Sequence, residues 1–177
     1  MQYGAFLRAI NVGKHNRVKM EDLRALCVTL SFTNVSTYLQ TGNIAFEWND
    51  PEETAAVRLE EALIGIGLRN VPVIVRTREE LLKLVKFDPF TEHDPAHFGR
   101  LVTLFRTPLP LGAEILLPPG SFQLVETRDR EVLTVVELGR SGSLDLNGFL
   151  ERKLHAQATT RKWNVVSGFV AGMPRGE

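Results

Sequence analysis

Along the first half of the chain the hydrophobic period switches between the value of a strand and that of a helix. From Tyr3 to Ile10 both alternating sets are apolar, with Tyr3, Ala5 and Leu7 on one and Phe6 and Ile10 on the other. That predicts a strand covered on both faces and central in its sheet. Met20, Leu23, Leu26, Cys27 and Leu30 then recur at helical spacing. Val35 to Leu39 and Ile44 to Trp48 read as strands joined by Gln40-Thr41-Gly42-Asn43, in which Gly42 and Asn43 are expected to supply the positive φ of a tight hairpin. A second helix is expected to start with Asp50 as N-cap, Pro51 at the first helical position and Glu53 closing a capping box. Its stripe of Ala56, Leu59, Leu63 and Ile66 ends at Gly67, and Val71 to Arg76 reads as a fourth strand. Thr77 and Glu80 form another capping box, opening a short helix through Val85.

Two prolines among acidic residues, in the stretch Phe87 to His97, mark a boundary near residue 90. Beyond it the plan repeats more loosely. Leu101 to Arg106 reads as a strand and Leu111 to Leu117 as a short helix. Phe122 to Thr127 and Val132 to Leu138 read as a hairpin around Arg128-Asp129-Arg130. Helices are expected near Leu146 to His155 and Thr160 to Val170, with no clear fourth strand. The fold class expected is therefore α+β, with two ferredoxin-like (split βαβ) subdomains at 1–88 and 89–177, the second less regular and carrying the closing helices.

Composition narrows the function classes. Among 177 residues, 21 Lys and Arg balance 21 Asp and Glu, which argues against a chain that is basic throughout and grips a polyanion along its length. The single cysteine, Cys27, excludes an internal disulfide and sits among helical core positions, so it reads as packing rather than as a reactive thiol. The apolar start is broken by Arg8 and is too short to span a bilayer. The expected location is the cytoplasm, with no membrane partner.

Candidate chemistry concentrates in two places. Asn11, Gly13, Lys14, His15, Asn16, Arg17 and Lys19 leave a strand and enter a helix, an arrangement that receives anions readily. The loop lacks the glycine spacing and the terminal Lys-Ser/Thr of a Walker loop. Its plainer reading is structural, with Asn11 and Asn16 satisfying backbone groups and Gly13 taking positive φ. In Ala158 to Asn164, Thr159 or Thr160 is read as capping the last helix, which would leave Arg161 and Lys162 opposing its dipole. Trp163 is either a stacking face for a ligand or a core anchor. Glu92, His93, Asp94 and His97 lack a recognised metal-ligand spacing, and Ser141-Gly142-Ser143 lacks the frame of a nucleophile elbow. The sequence offers no convincing catalytic constellation, and no metal site or cofactor is expected.

Leu7-Arg8-Ala9-Ile10-Asn11-Val12-Gly13, Asn16-Arg17-Val18 with Met20, and Tyr38-Leu39-Gln40-Thr41-Gly42-Asn43 resemble a family of uncharacterised bacterial proteins, domain of unknown function 1697. Thr159-Thr160-Arg161-Lys162-Trp163-Asn164 is similar to that family's C-terminal motif, so the resemblance implies membership over nearly the whole chain. It also implies two ferredoxin-like subdomains, and it brings no activity. Where the family commonly has Gly-Gly-Lys-Asn-Arg this chain has Gly13-Lys14-His15-Asn16-Arg17, and where it has Thr-Arg-Asn-Trp-Asn-Thr this chain has Thr160-Arg161-Lys162-Trp163-Asn164-Val165. The site expected from loop and resemblance together comprises Arg8, Asn11, Gly13, Lys14, Asn16, Arg17, Gln40, Asn43, Arg161, Trp163 and Asn164.

The leading functional expectation is a non-catalytic cytoplasmic protein binding an anion: a nucleotide, a phosphorylated metabolite or a nucleic acid. One alternative is a small-molecule enzyme whose arginines hold a carboxylate or phosphate. Another is a structural or interaction protein whose motifs lock the subdomains together. The aromatic strand motifs of RNA-recognition domains are absent.

Overall fold

The computed structural model describes residues 1–139 and 144–174; Ser141-Gly142-Ser143 lies outside the described residues. The chain divides into two compact units, residues 1–84 with 168–177, and residues 85–167. Both are α+β, each built on a four-stranded antiparallel sheet.

In the first unit the order is β1 (Gln2–Leu7), α1 (Met20–Thr29), β2 (Thr33–Tyr38), β3 (Asn43–Glu47), α2 (Glu52–Gly65), β4 (Val73–Thr77) and α3 (Arg78–Lys86), whose last residues fall beyond the division. The sheet order is β2-β3-β1-β4, so β1 is central, as its two apolar sets require. Tyr3, Ala5 and Leu7 face a core shared with Leu23 and Cys27 of α1 and Leu59 and Leu63 of α2. On the other face Phe6 meets the Phe169 ring edge-on at 5.3 Å. Gly4 lies there too, and a Cβ on it would come within 2.6 Å of Leu81 and 2.8 Å of Phe169. The close approach of α3 to the sheet therefore needs glycine.

β1 stops at Leu7 and does not reach Ile10, because Ala9 and Asn11 adopt left-handed φ of 57° and 54° and turn the chain off the sheet. The hairpin also differs from expectation. Gly42 is left-handed (φ 75°), but its companion is Leu39 (φ 57°), while Asn43 is already paired in β3. The capping box of α2 is absent: Pro51 itself is the N-cap, without a side-chain cap bond, and the Asp50 carbonyl accepts from the Tyr3 hydroxyl at 3.0 Å. The α3 box is present, with the Thr77 amide donating to Glu80 at 2.9 Å and the Glu80 amide donating to Thr77 Oγ1 at 3.2 Å.

The second unit contains β5 (Phe98–Phe105), β6 (Gln123–Thr127), β7 (Glu131–Glu137), α4 (Leu146–Leu154) and β8 (Ala158–Lys162), in sheet order β6-β7-β5-β8. The last helix, α5 (Trp163–Gly172), begins in this unit, and its residues from Gly168 onward belong to the first. Leu111 to Leu117 is not a helix. Gly112 is left-handed (φ 72°) and prolines at 110, 118 and 119 remove amide donors, so the segment crosses as an irregular loop. It still supplies core: Leu109 and Ile115 pack with Phe105, Val132 and the apolar face of α4.

The largest correction is the fourth strand. Ala158 to Lys162 pairs antiparallel with β5 over five registered positions, Leu101↔Lys162 to Phe105↔Ala158, and the helix starts only at Trp163. Thr159 and Thr160 are therefore strand residues, and Arg161 and Lys162 do not lie in a helical first turn. Paired β-branched threonines suit the pleated backbone better than they suit a helix.

Candidate functional site

The loop between β1 and α1 is held by its two asparagines. Asn11 Nδ2 donates to the carbonyls of Val18 and Gln40, both at 2.9 Å, and its Oδ1 accepts from the Val18 amide at 3.0 Å. Asn16 Nδ2 donates to the carbonyls of Ala9 (3.2 Å) and Arg69 (2.8 Å), and its Oδ1 accepts from the Arg69 amide at 2.9 Å. The Asn11 amide closes the loop onto the Asn16 carbonyl at 2.9 Å. An amide side chain has two N–H donors, and here both pairs are committed to backbone. Both residues are left-handed, at 54° and 50°, a conformation asparagine tolerates better than other side chains with a Cβ. Gly13 (φ 62°) completes the turn.

Asn43 plays a similar part in the hairpin. It is fully buried and donates to the Tyr38 carbonyl at 2.9 Å and to Thr41 Oγ1 at 3.0 Å. Gly42 beside it carries no Cβ because Ile10 and Leu7 would stand within 2.6 and 2.8 Å of one. The Arg8 backbone amide bonds to the Pro72 carbonyl at 3.0 Å, and its side chain is half-buried. Lys14 is exposed at the tip of the loop.

Arg17 and Gln40 line a cleft of about 990 Å³ in the first unit. Its polar wall also includes Asn11, Lys19, Asp22 and Thr29, and its apolar floor is Val18, Ala25, Leu26, Ile66 and Leu68. Asp22, Ala25, Leu26 and Thr29 fall at helical spacing on one side of α1, so a single helix face forms one wall. Leu68 is largely buried in the floor, whereas Ile66, just after α2, is 47% exposed. Arg17 and Lys19 are exposed and, among the described residues, make no side-chain hydrogen bond or ion pair. Among the described residues, two cations and one carboxylate give the wall one positive charge in excess.

Arg161, Trp163 and Asn164 belong to the second unit. The Arg161 guanidinium donates to Thr159 Oγ1 at 2.7 Å and to the Thr160 carbonyl at 3.1 Å. Burial lowers its pKa to about 10, which keeps it charged at neutral pH. Trp163 is buried, with the Phe90 ring edge-on at 5.2 Å, the geometry of a core anchor. Asn164 is exposed on α5. Cys27 is fully buried, and desolvation pushes its thiol up to about 12.

Among the described residues no group of three His, Cys, Asp or Glu side chains is placed to hold a metal ion. His93, from the acidic turn-rich stretch, instead packs edge-on against Phe98 at 5.3 Å. No described helix is long and apolar enough to cross a membrane.

The sequence reading located the Asn11 to Lys19 loop but missed the aliphatic floor. Leu26 and Ile66 stood in the sequence as members of the α1 and α2 core stripes, and Asp22, Ala25 and Thr29 lie beside the α1 stripe.

Comparison with known proteins places residues 1–115 in a match to the family described as Protein of unknown function (DUF1697). The match includes the β1–α1 loop and the hairpin and stops short of the Thr159 to Asn164 segment. No curated protein matches the chain. A solved structure, that of a conserved bacterial protein from Streptococcus pneumoniae, is similar with a TM-score of 0.68 at 16% identity, covering 96% of this chain and 97% of that one. At that identity the likeness carries the fold alone.

Proposed function

Because the chain belongs to the DUF1697 family, which has no assigned activity, we propose a function from its own residues: it is a non-catalytic cytoplasmic protein that binds an anionic small molecule. The binding place is the cleft of the first unit, with Arg17 and Lys19 as the groups that meet the negative charge. The observation that carries this reading is the pair of exposed cations with no side-chain partner among the described residues, standing over a cleft of small-molecule size. Asn11 and Asn16 support the site by fixing the loop, since their amide hydrogens are already committed to backbone. A short nucleic acid fits less well, because no aromatic side chain lines the cleft to stack on a base.

Isothermal titration with inorganic phosphate, glucose 6-phosphate, octanoate and a short oligonucleotide tests the proposal, using wild type and the double variant Arg17→Gln, Lys19→Gln. The expected result is saturable binding of at least one small anion. It should weaken in the variant and lose much of its salt dependence, since exposed charges act through a screened field. Absence of binding by every anion, or equal binding by both proteins, would overturn it.

A further inference from the structure

The floor of the cleft restricts what the anion is attached to. Ala25 and Leu26 on α1 and Ile66 and Leu68 after α2 form an aliphatic surface beside the two cations. A hydrated inorganic ion or a sugar phosphate leaves such a surface wet. An aliphatic chain covers it, and each methylene taken out of water strengthens binding. No aromatic ring lines the cleft, which removes the stacking partner a nucleobase would want. Asp22 on the same wall repels a second negative charge, so the net excess of one positive charge suits a monoanion better than a di- or triphosphate.

We infer that the ligand is an amphiphilic monoanion, a carboxylate carrying a medium-length aliphatic chain, with its head at Arg17 and Lys19 and its chain along Leu26, Ile66 and Leu68. This rests on the anion-binding reading above and specifies the class of molecule. The head group is met by Nη and Nζ donors on two flexible, exposed side chains, and the chain lies on a surface provided by one face of α1 and the segment after α2. The contribution of the chain therefore grows with its length until the floor is covered.

The test is a titration series of butanoate, hexanoate, octanoate and decanoate kept below their micelle thresholds. Octanol serves as the uncharged control, and inorganic phosphate and glucose 6-phosphate as polar anions. Affinity is expected to rise by up to about fourfold per methylene. Octanol should bind at least about tenfold more weakly than octanoate, the size expected for losing a charge-assisted hydrogen bond. Ala25→Glu places a carboxylate on the floor at an exposed position outside the core, and should weaken octanoate while leaving the melting temperature in place. Ile66→Ser, also exposed, gives a second reading of the floor without adding charge. If the polar anions bind through Arg17 and Lys19 but chain length has no effect, this inference is wrong and the anion-binding function stands. If octanol binds as tightly as octanoate, this inference is likewise wrong, and if nothing binds, both fail.

Discussion

Replacing Asn11 by alanine removes the side chain that closes the β1–α1 loop on Val18 and ties it to the β2–β3 hairpin at Gln40. Three hydrogen bonds disappear, those with the Val18 carbonyl, the Gln40 carbonyl and the Val18 amide. Two of these bonds are partly buried and one is exposed; they contribute about 1 kcal/mol each after exchange with water, and water reaching the vacated groups recovers a fraction. Alanine must also hold a φ of 54°, which costs it about 1 kcal/mol more than asparagine. The expected loss is about 3 kcal/mol, or roughly 6–12 °C in melting temperature for a chain of this length. Asn11→Gly loses the same bonds but accepts left-handed φ freely, so it should recover about 1 kcal/mol relative to alanine. Chemical and thermal denaturation of the three proteins gives both numbers. An alanine variant as stable as wild type would refute the clamp and return Asn11 to the list of ligand groups, and equal losses for alanine and glycine would refute the strain component.

Gly42→Ala combines a φ of 75° with a Cβ inside contact distance of Ile10 and Leu7, so it should destabilise by about 2–4 kcal/mol in the same denaturation assay. Trp163→Ala should cost about 3–5 kcal/mol, since it empties a buried site against Phe90, and an unchanged melting temperature would contradict the anchor role. Cys27 should resist a thiol reagent in the native protein and react fully in denaturant. Its folded pKa of about 12 lies above the ordinary 9.0, so between those values the unfolded thiol is ionised while the folded one stays protonated. Stability from this group is then whole below pH 9 and falls as pH rises, by about 1.4 kcal/mol at pH 10, and Cys27→Ala should flatten that slope.

Local signals carried most of the first unit. Met20, Leu23 and Cys27 repeat at helical spacing because they face one core, and Thr77 with Glu80 closes a box whose partners are three residues apart. The second unit hides its fourth strand for a physical reason. Among Ala158 to Lys162 only Ala158 joins the hydrophobic core, while Thr160 bonds Thr103 and Asn147 through hydroxyl and amide groups, so no apolar alternation is written there. Thr-Thr before Trp163 and Val166 then imitates a helix cap. The candidate site divides in the same way. That Asn11, Asn16 and Gly13 mattered was readable in the loop's composition. What they do depends on Gln40 and Arg69, 29 and 53 residues away, which only the folded chain brings to them. The floor was illegible because Leu26, Ile66 and Leu68 look like ordinary core residues until the fold leaves part of that surface open.

Amide chemical-shift mapping of the whole chain during an octanoate titration tests the central claim most directly. The account predicts saturable shifts clustered at Arg17 to Lys19, along Asp22 to Thr29 and at Ile66 to Leu68, with none of comparable size in the second unit. Shifts centred on Arg161 to Asn164, or no saturable shift anywhere, would contradict it.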